Sequence, residues 1–172
     1  MAKNFIISRA ASHAKTGRDL SLGKFADIVA VPVPMHVGVA AMPYDITTRS
    51  WPMSVEIAGP VSVVGYPFGK DASGTAIWAT GFIASEPCLD FEELPVFQID
   101  CRTRPGQSGS PVIISSVGGY KPGGGGMVVR PNQSFVKLLG LYSGRIHGES
   151  DLGMVWKIDA LRVVATLRRP GS

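Results

Sequence analysis

The residues of this chain best suited to covalent chemistry lie in Gly106-Gln107-Ser108-Gly109-Ser110-Pro111. Small residues flank one serine, between two apolar runs at 95–100 (PVFQID) and 111–117 (PVIISSV). Glycines allow the backbone angles of a tight turn and let a ligand approach the main chain. A serine at the tip of such a turn presents its hydroxyl while neighbouring N–H groups point at one spot. Donors so arranged stabilise the oxyanion of a tetrahedral intermediate, so the chemistry suggested is acyl transfer. An ordinary Gly-Ser turn fits the same six letters, and the motif by itself does not choose between the two.

Other reactive residue types are few. Cys88 and Cys101 could form one disulfide, but two cysteines make neither a disulfide framework nor a metal site, and two free, partly buried thiols are the expectation. No metal and no organic cofactor is expected. The run Gly123-Gly124-Gly125-Gly126 lacks the Lys-Ser/Thr of a phosphate cradle and does not open a helix, so it is read as a flexible hairpin tip.

These residues need elements to position them. At 172 residues the chain favours one domain or two small ones, and its 45% apolar content is enough for a real core. Only 17% of residues are charged, which excludes a disordered chain or a coiled coil. Twenty-one glycines and 13 prolines point to many turns and short strands. The net charge of +4 is scattered, with its densest cluster at Arg162, Arg168 and Arg169, so neither nucleic acid nor a membrane surface is expected as a partner. No stretch reaches the roughly 18 apolar residues of a bilayer span. Met1-Ala2-Lys3-Asn4-Phe5 lacks the features of a secretory signal, so the chain as written is expected in the cytoplasm.

Strands are expected at 4–10, 27–33, 61–66, 76–85, 95–100, 111–117, 135–142 and 153–158, with another near 53–57. A glycine-rich loop is expected at 118–126, and a helix at 159–168 capped by Asp159. Regularly spaced short strands followed by one terminal helix predict an all-β barrel or sandwich.

The surroundings of Ser108 carry a resemblance. Residues 96–113 (VFQIDCRTRPGQSGSPVI) resemble the nucleophile region of trypsin-like, chymotrypsin-fold serine proteases, most closely the bacterial high-temperature-requirement type. Val63-Val64-Gly65-Tyr66-Pro67-Phe68-Gly69 is similar to that family's Gly-x-Pro-x-Gly segment opening the second barrel. Thr80-Gly81-Phe82-Ile83-Ala84 resembles the strand after it, and Leu139-Gly140-Leu141-Tyr142-Ser143-Gly144 the strand lining the specificity pocket. Lys157-Ile158 leads into a closing helix. The motifs keep the family's order from about residue 25 to 168.

The resemblance implies a chymotrypsin-like double β-barrel, and with the strand spacing it predicts a closed or nearly closed six-stranded antiparallel barrel over 61–158, with Ser108 at a turn on its rim. Residues 1–60 would be a remnant of the first barrel and the connection, and 61–172 a complete second barrel with the C-terminal helix. It implies a serine endopeptidase that hydrolyses peptide or protein substrates through an acyl-enzyme on Ser108. The N–H groups of Gly106 and Ser108 would form the oxyanion hole. Asp27, opening Asp27-Ile28-Val29-Ala30-Val31-Pro32-Val33, would be the aspartate that orients the catalytic histidine. Arg102 would lie near the pocket floor, with Ser143, Gly144 and Arg145 along its wall. An arginine at the floor would favour an acidic or small apolar residue before the cleaved bond. Gln107 stands where Asp or Asn is common in the family, and Ser110 where glycine is.

The family's histidine lies several tens of residues before the aspartate. His13 precedes Asp27 by only 27 − 13 = 14 residues, in Ala11-Ser12-His13-Ala14, which does not match the family's Ala-x-His-Cys-like segment. His36 follows the aspartate in a proline-rich connection, and His147 follows the pocket strand. All three read as surface histidines. The expectation is that the base belongs to a segment before Met1, and that the chain alone is a weak catalyst. Open strand edges of a partial first barrel would then leave room for pairing with another chain. The rival reading is a non-catalytic, protease-like module that binds peptides or proteins.

Overall fold

The computed structural model describes residues 5–9, 27–32, 42–46, 52–70 and 72–166. Their strands are β1 (Phe5–Arg9), β2 (Ile28–Pro32), β3 (Pro60–Gly65), β4 (Ile77–Ile83), β5 (Val96–Asp100), β6 (Pro111–Tyr120), β7 (Val128–Arg145) and β8 (Leu152–Lys157). One α-helix follows, α1 (Ile158–Thr166). Six strands close an antiparallel barrel in the order β3-β4-β5-β8-β7-β6. Closure is made by β3 on β6, where Ser62 faces Ile113 and Val63 faces Val112. The all-β class, the six-stranded barrel and the terminal helix agree with the sequence reading.

The barrel strands are apolar on both faces, which is why they read as near-continuous hydrophobic runs. Successive side chains on a strand point to opposite faces. Val112 accordingly joins Val63, Ile99, Tyr142 and Val155 in one cluster, while its neighbour Ile113 joins a second. Val155 and Trp156 divide the same way on β8. The second cluster is completed by Ala160 and Leu161 of α1 and by Ile28 of β2. Burying one such side chain fully is worth about 1.5–3 kcal/mol, so α1 and the start of β2 are held to the barrel by packing.

β1 and β2 form a separate two-stranded antiparallel sheet, registered from Phe5 opposite Pro32 to Arg9 opposite Ile28. Three details differ from expectation. The strand expected near 53–57 is only an isolated bridge, Met53 opposite Pro122. That segment is instead tied crosswise to the β6–β7 hairpin, Ser54 N–H donating to Lys121 O and Lys137 Nζ to Met53 O. The glycine-rich loop is shorter than 118–126, because β6 runs on to Tyr120 through an irregularity at Val117/Gly119, with Gly118 at φ +80°. Helix α1 starts at Ile158, so Asp159 lies inside its first turn, where its carboxylate accepts from Arg162 Nη1 at 2.5 Å.

Candidate active site

Ser108 sits in the connection between β5 and β6, and it is exposed. The turn is built from its own backbone and one buried side chain. Gln107 N–H donates to Arg104 O at 3.2 Å, and Ser110 N–H donates to Gln107 O at 3.0 Å. Gln107 Oε1 accepts from Arg104 N–H at 2.8 Å, closing the loop a second time. The glutamine is only 1% exposed, and its Nε2 has no partner among the described residues. Gly106 and Gly109 adopt φ of +94° and +85°, the left-handed region where a side chain is strained. A Cβ on Gly106 would also stand 2.8 Å from Tyr66 O. The segment Pro67–Gly69 presses there, with Phe68 N–H donating to Pro105 O at 2.6 Å.

Two further contacts fix the turn to the barrel. Gly109 N–H donates to Tyr142 O at 2.7 Å, and Tyr142 N–H donates to Ser110 O at 2.9 Å. Ser110 is buried against Gly65 at the end of β3, where an added Cβ would meet its Oγ at 2.0 Å. The serine at position 110 is thus accommodated by the missing side chain at 65.

Asp27, just before β2, is bonded to side chains of β7 and β8. Ser143 Oγ donates to its carboxylate, 3.0 Å from Oδ2 and 3.2 Å from Oδ1. Trp156 Nε1 donates to Oδ1 at 2.6 Å. Both donors belong to buried side chains, and hydrogen bonds to a charged acceptor are the stronger kind. Tyr142 and Ser143 are consecutive on β7. The backbone of the first holds the turn carrying Ser108, and the side chain of the second holds Asp27.

The neighbouring segment carries the residues expected to shape a pocket. Arg102 is exposed. Thr103 is buried and bonded through its hydroxyl to that of Tyr142. Ser143 is buried, with its hydroxyl turned to Asp27, and Gly144 is half-buried beside an irregularity in the β7–β8 pairing. Arg145 donates from Nη1 to Gly148 O at 2.9 Å and from Nη2 to Thr103 O at 3.1 Å. His147 is exposed, its Nδ1 accepting from Glu149 N–H at 3.3 Å within its own loop. His13 and His36 lie outside the described residues.

Both cysteines are free, Cys88 exposed and Cys101 buried. Burial, with the nearby charges of Asp100 and Asp151, pushes the Cys101 thiol up to about 11, so it is inert near neutrality. Among the described residues no group of His, Cys, Asp and Glu could hold a metal ion, and no helix is long and apolar enough to cross a membrane.

Sequence reasoning missed Trp156, read only as a strand residue, and gave Gln107 and Arg104 no role in shaping the turn. A buried indole must find an acceptor, but nothing in Gly153-Met154-Val155-Trp156-Lys157-Ile158 says which.

Residues 8–118, more than half of the chain, match the family model described as "Trypsin-like peptidase domain". A search of curated protein sequences finds no match. Among solved structures, the chain is similar to Rv3671c from M. tuberculosis H37Rv, crystallised as a serine-to-alanine mutant in an inactive form. That likeness has a TM-score of 0.47 at 16% sequence identity, and it covers 98% of this chain and 68% of the other.

Proposed function

The chain belongs to the trypsin-like peptidase domain family, and from that premise we propose that it hydrolyses peptide bonds through an acyl-enzyme on Ser108. The observation carrying this reading is the shared anchor on β7, with Ser108's turn fastened to Tyr142 and Asp27's carboxylate to Ser143. In this reading the N–H groups of Gly106 and Ser108 receive the oxyanion, which the left-handed glycines at 106 and 109 support. An imidazole takes the Ser108 proton, and Asp27 orients that imidazole and balances the charge it gains. The barrel, residues 61–172, supplies the nucleophile, and residues 1–60 supply the aspartate.

The chain alone is expected to turn over slowly, because its histidines stand 14 residues before Asp27 or after it. Without a well-placed base a serine hydroxyl is a weak nucleophile. The test is hydrolysis of a broad peptide library by residues 1–172, beside Ser108→Ala, His13→Ala, His36→Ala and His147→Ala. Slow hydrolysis lost in Ser108→Ala and retained in each histidine variant is expected. Hydrolysis that survives Ser108→Ala would overturn the proposal. The engagement of His147 in its own loop favours a second reading, a peptide-binding module without catalysis. Saturable peptide binding with no hydrolysis at any pH would select it.

A further inference from the structure

Arg104, in the β5–β6 connection, and Arg145, at the end of β7, converge on one atom. Arg104 Nη1 and Arg145 Nη2 each donate to the carbonyl oxygen of Thr103 at 3.1 Å. The two nitrogens therefore lie within twice that distance of each other. Two like charges so close repel, and more so where water is partly excluded; both side chains are half-buried. Neither guanidinium takes part in an ion pair among the described residues, although Glu149 and Asp151 lie in the loop that follows Arg145.

A guanidinium has five N–H donors in a planar fork suited to carboxylate. Arg145 uses two nitrogens on carbonyl oxygens and Arg104 uses one, so each keeps donors for a further acceptor. The pair stands beside the reactive turn. Arg104 is held to Gln107, the residue before Ser108, by two hydrogen bonds, and Arg145 is two residues beyond Ser143.

Resting on the peptidase reading above, we propose that Arg104 and Arg145 form an anion subsite that receives an acidic side chain, Asp or Glu, of a bound peptide. The carboxylate bridges the two guanidiniums and relieves their repulsion. Thr103 O holds one nitrogen of each guanidinium close enough for a single carboxylate to reach both. Arg102, exposed on the same segment, adds positive potential at longer range.

Binding is measured with the Ser108→Ala chain, so the readout does not depend on turnover. Two fluorescent octapeptides are compared by anisotropy, identical but for Glu or Gln at one central position. The Glu peptide is expected to bind at least tenfold more tightly, with the preference shrinking as salt rises. Arg104→Gln and Arg145→Gln are each expected to reduce it to under threefold while leaving the thermal midpoint within a few degrees. Equal binding of the two peptides would overturn the proposal, as would a preference that persists in both arginine variants. Failure of the peptidase reading would show separately, as an unsubstituted chain whose Ser108 takes no fluorophosphonate label although the Ser108→Ala chain prefers Glu.

Discussion

The two halves of the candidate site are held by unlike means. The barrel from β3 to β8 closes on itself, and the turn bearing Ser108 is fastened by backbone hydrogen bonds to β7. The sheet of β1 and β2 has two strands, and its half of the site, Asp27, is fastened by a serine hydroxyl and an indole, with Ile28 packed below. A closed barrel has no free edge and loses its shape only as a whole, whereas side-chain tethers can be cut one at a time. The turn carrying Ser108, the proposed nucleophile, should therefore persist wherever the barrel is folded, and Asp27 should be the part that variation can detach.

The largest effect should come from breaking the barrel itself. A Cβ on Gly140 would stand 1.8 Å from Trp156 O, where β7 pairs with β8. Gly140→Ala is expected to cost about 2–4 kcal/mol in a denaturant titration, lowering protection across the barrel. Cutting the tether should act differently. Trp156→Phe removes one donor to Asp27 while keeping an aromatic ring, at about 1–3 kcal/mol. Hydrogen exchange of 28–32 should rise while that of 96–100 does not, and equal increases in both would break the comparison.

A smaller effect should arise inside the nucleophile turn. Gly65→Ala forces its Cβ onto Ser110 Oγ and is expected to cost about 1–2 kcal/mol. Adding Ser110→Gly should restore most of it, a coupling that a double-mutant cycle reads directly.

The smallest effect concerns pH. Below pH 9 the folded and unfolded chains both keep the Cys101 proton. Between the ordinary value of 9 and about 11 the unfolded chain releases a proton that the folded barrel retains, so stability falls as pH rises. By pH 10 the loss should be about 1.4 kcal/mol, and it should disappear in Cys101→Ala.

The sequence displayed the barrel because its strands are apolar on both faces and its turns are marked by Gly and Pro. Pro60–Gly65, Val96–Asp100 and Leu152–Lys157 fall within a residue of the expected runs. The reach of β7 back to Val128 was not legible, because Arg130, Pro131, Asn132 and Gln133 carry no strand pattern and fall at the irregularity between Val129 and Ser134, which pair with Gly119 and Val117 of β6. Ser108 was legible because its turn needs glycines on both sides. What joins Ser108 to Asp27 was not, because those bonds run between residues more than a hundred positions apart, Asp27 with Ser143 and Trp156. The anion subsite was hidden for a similar reason. Arg102 was the arginine singled out, whereas Arg104 and Arg145 meet only through the carbonyl of Thr103.

The most direct test is labelling of the folded chain with a fluorophosphonate, which reacts with an activated serine hydroxyl, and mapping of the adduct by mass spectrometry. The account predicts one adduct, on Ser108, forming slowly for want of a well-placed base, and none in Ser108→Ala. A folded chain that takes no label, or one labelled at another residue, would contradict it.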